Sequence, residues 1–131
     1  MTGKRDIRPS DGELAILRVL WDRGPSTVRQ VHQALDRGLV RYTTTLKIMQ
    51  NMTDKGLVAR DAGPGKHVYT AAVERGPTQR RLLTDLLEKA FGGSAGRLVV
   101  AALESGDLSA GELKEIRKLL KDKGADHERA R

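Results

Sequence analysis

Five side chains, Thr43, Thr44, Lys47, Gln50 and Asn51, lie close together in the chain and offer only hydroxyls, amides and one positive charge. That mixture suits hydrogen bonding to base edges and pairing with phosphate. An ordinary solvent-facing helical stripe mixes Glu with Lys, for solubility and i,i+4 pairing; these five residues include no acid. The spacing is helical, so the five share a face. Behind them Thr45, Ile48, Met49 and Met52 recur at i, i+3, i+4 and i+7 and form an apolar face that can anchor the helix. The stretch opens on three threonines, whose hydroxyls suit the orphan N–H groups of a helix start. It closes on Lys55-Gly56, a cation in the last turn followed by the residue that reaches the αL stop at least cost. Residues 42–55 are therefore expected to form a recognition helix, with Arg41 just before it as a further DNA-contacting cation.

The flanking elements are those needed to hold such a helix. Ser10-Asp11-Gly12-Glu13 reads as a capping box, and Leu14, Ile16, Leu17, Leu20 and Trp21 follow as the apolar part of a first helix that ends at Gly24-Pro25. Thr27-Val28-Arg29-Gln30 is a second box, with Val28, Val31 and Leu35 as the stripe of a second helix. Residues 36–41 connect it to the recognition helix, the order expected of a helix-turn-helix. After Gly56 the period changes. Residues 57–60 and 67–70 read as strands, and the turn-rich residues 61–66 between them make a hairpin. A hairpin tipped by Lys66, with His67 at the wing base, directly after a recognition helix is a winged helix, with both residues candidates for the DNA backbone.

From residue 74 the pattern is wholly helical. Residues 78–90 carry Leu82, Leu83, Leu86 and Leu87 inward, residues 94–103 are small and aliphatic around Leu98, and Ser109-Ala110-Gly111-Glu112 boxes a last helix with Leu113, Ile116, Leu119 and Leu120, frayed beyond Lys123. Three short helices rarely bury enough apolar surface alone. A second copy is expected to complete this core, with Leu82, Leu86, Leu98, Leu113, Ile116 and Leu120 at the dimer contact. The fold class is thus mainly α with a small β-hairpin: a winged helix-turn-helix domain over 1–73 and a three-helix dimerisation domain over 74–131.

Composition agrees with a polyanionic partner. The 131 residues carry a net charge of +7 and a pI near 10.1, and the excess lies with the reading end, residues 1–72 holding +5. Without cysteine there are no disulfides, thiolate metal sites or cysteine nucleophiles. His32, His67 and His127 are too scattered for a metal site, and His32 is expected to pack at the edge of the second helix. Gly63-Pro64-Gly65 is too short for a phosphate loop, and no Gly-x-Ser-x-Gly elbow occurs. No enzyme activity, cofactor or metal is expected. No apolar run reaches the ~18 residues of a membrane helix and no signal-peptide core is present, so no membrane partner and a cytoplasmic location are expected. The other reading is a winged-helix module for protein contacts without specific DNA binding. Salt separates the two, since DNA binding weakens steeply with ionic strength.

Leu20-Trp21 before Gly24-Pro25, then Thr27 through Leu35, Tyr42-Thr43-Thr44-Thr45 and Lys55-Gly56-Leu57-Val58 resemble the penicillinase-repressor family (BlaI/MecI type, with the copper-responsive CopY branch). The likeness covers residues 10–122. It implies a repressor acting as a homodimer on a palindromic, inverted-repeat operator of double-stranded DNA, with Thr43, Thr44, Lys47 and the wing around Lys66 and His67 as contacts. The residue reading adds Arg41, Gln50 and Asn51. Two departures stand out. The copper-responsive branch has a cysteine-rich tail that this chain lacks. Ala101-Ala102 stands where β-lactam-responsive members are cut at Asn-Phe, which leaves open the identity of any regulatory protease partner.

Overall fold

The computed structural model describes residues 8–35, 40–61, 63 and 67–129. They form α1 (Asp11–Arg23), α2 (Val28–Leu35), α3 (Tyr42–Lys55), β1 (Val58–Asp61), β2 (Val68–Ala71), α4 (Arg75–Ala90), α5 (Ala95–Ser105) and α6 (Ala110–Arg129). The fold is mainly α with one antiparallel hairpin, as expected, and its first part is a winged helix. Lys66, most of the hairpin tip and residues 36–39 of the expected connector lie outside the described residues. By compactness the chain divides into residues 1–83 and 84–131.

Local chemistry explains the first three helices. Ser10 caps α1 through a complete box, its hydroxyl taking the Glu13 N–H while the Glu13 carboxylate takes the Ser10 N–H. Thr27 and Gln30 do the same for α2. α3 ends in a Schellman arrangement. Gly56 sits at φ 82° and donates to Thr53 O, while Leu57 donates to Met52 O at 2.9 Å. The chain then turns directly into β1, with Met52 and Leu57 both buried.

The hairpin pairs Val58 with Ala71, Ala59 with Thr70, Arg60 with Tyr69 and Asp61 with Val68, so both strands run one residue later than the sequence suggests. Leu57 gives its N–H to the helix stop and meets the second strand's end only through its carbonyl, which accepts from the Ala72 N–H at 2.9 Å. The other edge of β2 is closed by the α1–α2 link, where Ser26 and Tyr69 exchange both backbone bonds at 3.0 and 2.8 Å. The core packs Ile16, Leu17, Leu20, Val28, Val31, Met49, Met52, Leu57, Val58 and Tyr69. At its edge the Trp21 indole donates to Val73 O at 2.9 Å, and Arg75 lies over the Trp21 ring while pairing with Asp22.

The later helices differ in length from the sequence pattern. α4 begins at Arg75, three residues before the expected start, because Pro77 falls in the first turn, where its missing N–H has no partner to lose. α6 continues to Arg129 instead of fraying at Lys123. Ser94 and the Ser109–Glu112 box cap α5 and α6. No described residue of α4, α5 or α6 is buried in the single chain. Leu86 is 46%, Val100 53%, Leu119 58% and Leu120 59% exposed. Between α5 and α6 an apolar groove of about 230 Å³ runs past Leu98, Leu103, Ile116 and Leu120.

Candidate nucleic-acid interface

α3 presents the side chains that its sequence foretold. Thr43, Thr44, Lys47, Gln50 and Asn51 are all exposed, as is Arg41. Thr45, Met49 and Met52 are fully buried behind them and Ile48 is half-buried. Thr44, Lys47 and Asn51, at i, i+3 and i+7, form one edge of the helix. The edge is therefore held by packing and not by its own contacts.

The start of α3 differs from expectation in one respect. The threonines do not cap it: Arg41 occupies the N-cap position without a side-chain bond, and its carbonyl accepts from the Thr44 and Thr45 N–H groups. Thr43 and Thr44 lie inside the first turn with their hydroxyls outward. Thr45 faces the core, its hydroxyl 2.8 Å from Nδ1 of His32, which gives His32 the packing role expected of it. The His32 ring stands edge-on to Tyr42 at 5.7 Å, and the Arg29 guanidinium lies 5.2 Å above the Tyr42 ring. This chain of contacts ties the first turn of α3 to α2.

The far end of α3 is tied to α1. Lys55 Nζ donates to Glu13 Oε2 at 2.6 Å, while Oε1 of the same carboxylate serves Ser10. Burial pushes the Glu13 pKa up. The hydrogen bond and charge of Lys55, with the Ser10 bonds, outweigh that and hold it below its ordinary value of 4.5. A lowered folded-state pKa adds stability that is present above the ordinary value and is lost as pH falls through the folded one. Glu13→Gln is therefore expected to destabilise the chain at pH 7 by about 1–2 kcal/mol, with half-exposed Lys55 keeping the figure modest. Urea titrations of both proteins should converge as pH falls below 4.5 and through the lowered folded-state value; a constant gap would contradict the ion pair's role.

His67 is exposed at the foot of the wing. With Gln50 it lines an open cleft of about 520 Å³ beside α3, together with Arg29, Tyr42, Arg60 and Tyr69. Neither Arg29 nor Arg60 stands out in the sequence as a DNA contact. Arg29 sits in the capping box of α2 and Arg60 in a strand, and only the pairing of Arg60 with Tyr69 brings the two to one cleft.

A helix-turn-helix with a paired wing and a third helix that exposes Thr43, Thr44, Lys47, Gln50 and Asn51 defines a winged-helix DNA-binding protein. The model of the penicillinase repressor family matches residues 9–122. Transcriptional regulator BlaI of Mycobacterium tuberculosis, in two strains, is 33% identical over 123 residues, 92% of this chain and 88% of that protein. The chain belongs to the penicillinase repressor family; it is a transcriptional repressor and not an enzyme. Among solved structures, Bordetella bronchiseptica BpsR is similar over 92% of this chain and 83% of its own, at 18% identity and a TM-score of 0.46. A MarR family regulator from Silicibacter pomeroyi is similar over 85% and 65%, at 20% and 0.43. No helix among the described residues is long and apolar enough to cross a membrane.

Proposed function

We propose that this repressor binds an inverted-repeat operator as a homodimer, each copy laying α3 in the major groove. The observation that carries this is the exposed edge of Thr44, Lys47 and Asn51 on a helix whose opposite face packs against the core through Thr45, Met49 and Met52. A threonine offers a hydroxyl to a base edge and a methyl to thymine. Lysine reaches guanine or phosphate, and asparagine can pair bidentately with adenine. Thr43, Arg41 and Gln50 flank that edge, and His67 stands at the wing to meet the backbone.

Support for the second copy comes from α4, α5 and α6, which leave their leucines exposed in the single chain. Leu82, Leu98, Leu113 and Ile116 are only half-buried, and Leu86 and Leu120 are open. A twofold dimer presents two reading edges, so half-sites about one helical turn apart follow from its symmetry. The same reading keeps a regulatory protease as a partner. Ala101 and Ala102 are exposed on α5, and a cut there would sever α6 from the rest of the chain.

Selection of bound duplexes from a random DNA pool tests the operator. The expected product is an enriched inverted repeat. A pool that stays unenriched, with binding insensitive to salt, would instead favour a module for protein contacts.

A further inference from the structure

The cleft beside α3 holds two arginines from two different elements, and among the described residues no acidic side chain lines it. Resting on the DNA-reading assignment above, we infer that Arg29 of α2 and Arg60 of β1 clamp the sugar-phosphate backbone next to the recognition helix, each taking a phosphodiester without reading sequence.

Three observations converge on that occupant. First, Gln50 belongs both to the exposed face of α3 and to the lining of the cleft, so a duplex seated on the helix passes over the cleft. Second, both arginines are exposed yet held. Arg29 is stacked on Tyr42 at 5.2 Å, which fixes its planar fork before DNA arrives and limits the rotamer entropy lost on binding. Arg60 stands opposite Tyr69 on a paired strand, and opposed residues of an antiparallel pair project to one face. Tyr69 is in turn fixed by Ser26, which takes both of its backbone bonds, and is 2% exposed. Third, buried Val28 and Tyr69 form the back of the cleft, and an apolar backing strengthens charge-assisted bonds in front of it. Guanidinium forks match phosphate oxygens bidentately.

The test uses the full chain with Arg29→Ala, Arg60→Ala, the double alanine variant and the double lysine variant. Each is titrated by fluorescence anisotropy against a selected operator and a scrambled duplex at several salt concentrations. Each alanine removes one phosphate contact per chain and so two per dimer, and should lower the magnitude of the salt slope by about 1.8, a loss of about sixtyfold at roughly 0.1 M salt, equally on both duplexes. The double lysine variant keeps both charges and should keep the slope. Because both side chains are exposed, thermal midpoints should stay at the wild-type value. A double alanine variant with the wild-type slope, or with its loss confined to the operator, would overturn the clamp. Lys47→Ala and Asn51→Ala in the same assay separate this inference from the reading it rests on. If those two bind the operator like wild type while the arginine variants lose both duplexes, the reading edge fails and the clamp stands. Wild-type protein that binds neither duplex overturns both.

Discussion

Asn51→Ala and Lys47→Ala are each expected to weaken binding to the selected operator by about 1–3 kcal/mol per half-site, or roughly five- to 150-fold. The size of the effect follows from where the residues stand. Both are exposed on α3, one turn apart on the edge that begins at Thr44, and neither supports the fold. In the proposed complex, truncating them removes base hydrogen bonds and leaves the partner atoms on the bases unpaired, which costs more than the bond itself was worth. Asn51→Ala should leave affinity for scrambled DNA nearly unchanged, since amides read bases and do not neutralise phosphate. Lys47→Ala should lower the scrambled-DNA affinity only as far as Lys47 also touches the backbone. Circular dichroism with wild-type helix content and midpoint is the accompanying control. Met49→Ala makes the contrast: Met49 is fully buried, and its truncation should cost about 2–5 kcal/mol of stability.

The second large effect concerns the leucines that the single chain leaves open. Leu120→Glu and Leu86→Glu should turn a dimer into monomers at micromolar concentration. Leu120 is 59% and Leu86 46% exposed in one copy, so a charge at either site costs the monomer's fold little. Against a symmetric partner the same charge is buried without a mate, at a cost of several kcal/mol. Operator affinity should then fall by a factor of about 10²–10⁴, because the second half-site no longer benefits from the tether to the first. Light scattering reads the mass. A variant that remains dimeric would place the interface away from these residues.

What the sequence made legible was local. Three capping boxes, at Ser10–Glu13, Thr27–Gln30 and Ser109–Glu112, formed as their spacing implied, because a cap is decided within four residues. The anchored and exposed faces of α3 were equally plain, since helical period alone sorts them. What escaped involves partners far apart in the chain. Glu13 looks like a cap residue and Lys55 like a helix-end cation, and nothing local says that they meet across 42 positions. The closing of β2 by Ser26 depends on tertiary placement, as does the Trp21 bond to Val73. The threonines at the start of α3 misled as caps because Arg41, two residues before the first of them, became the N-cap. Arg29 and Arg60 carried no local signal for their shared cleft: their common face exists only once β1 pairs with β2.

The most direct measurement on the central claim titrates wild-type protein against three labelled duplexes, the inverted repeat, one isolated half-site and a scrambled sequence, from about 50 to about 200 mM salt. If α3 reads the major groove from a twofold dimer, the inverted repeat binds tightest, with two chains per duplex. The half-site should fall well behind it and the scrambled duplex last, and all three affinities should drop steeply as salt rises. Equal affinity for the three duplexes, or affinity that ignores salt, would contradict the account.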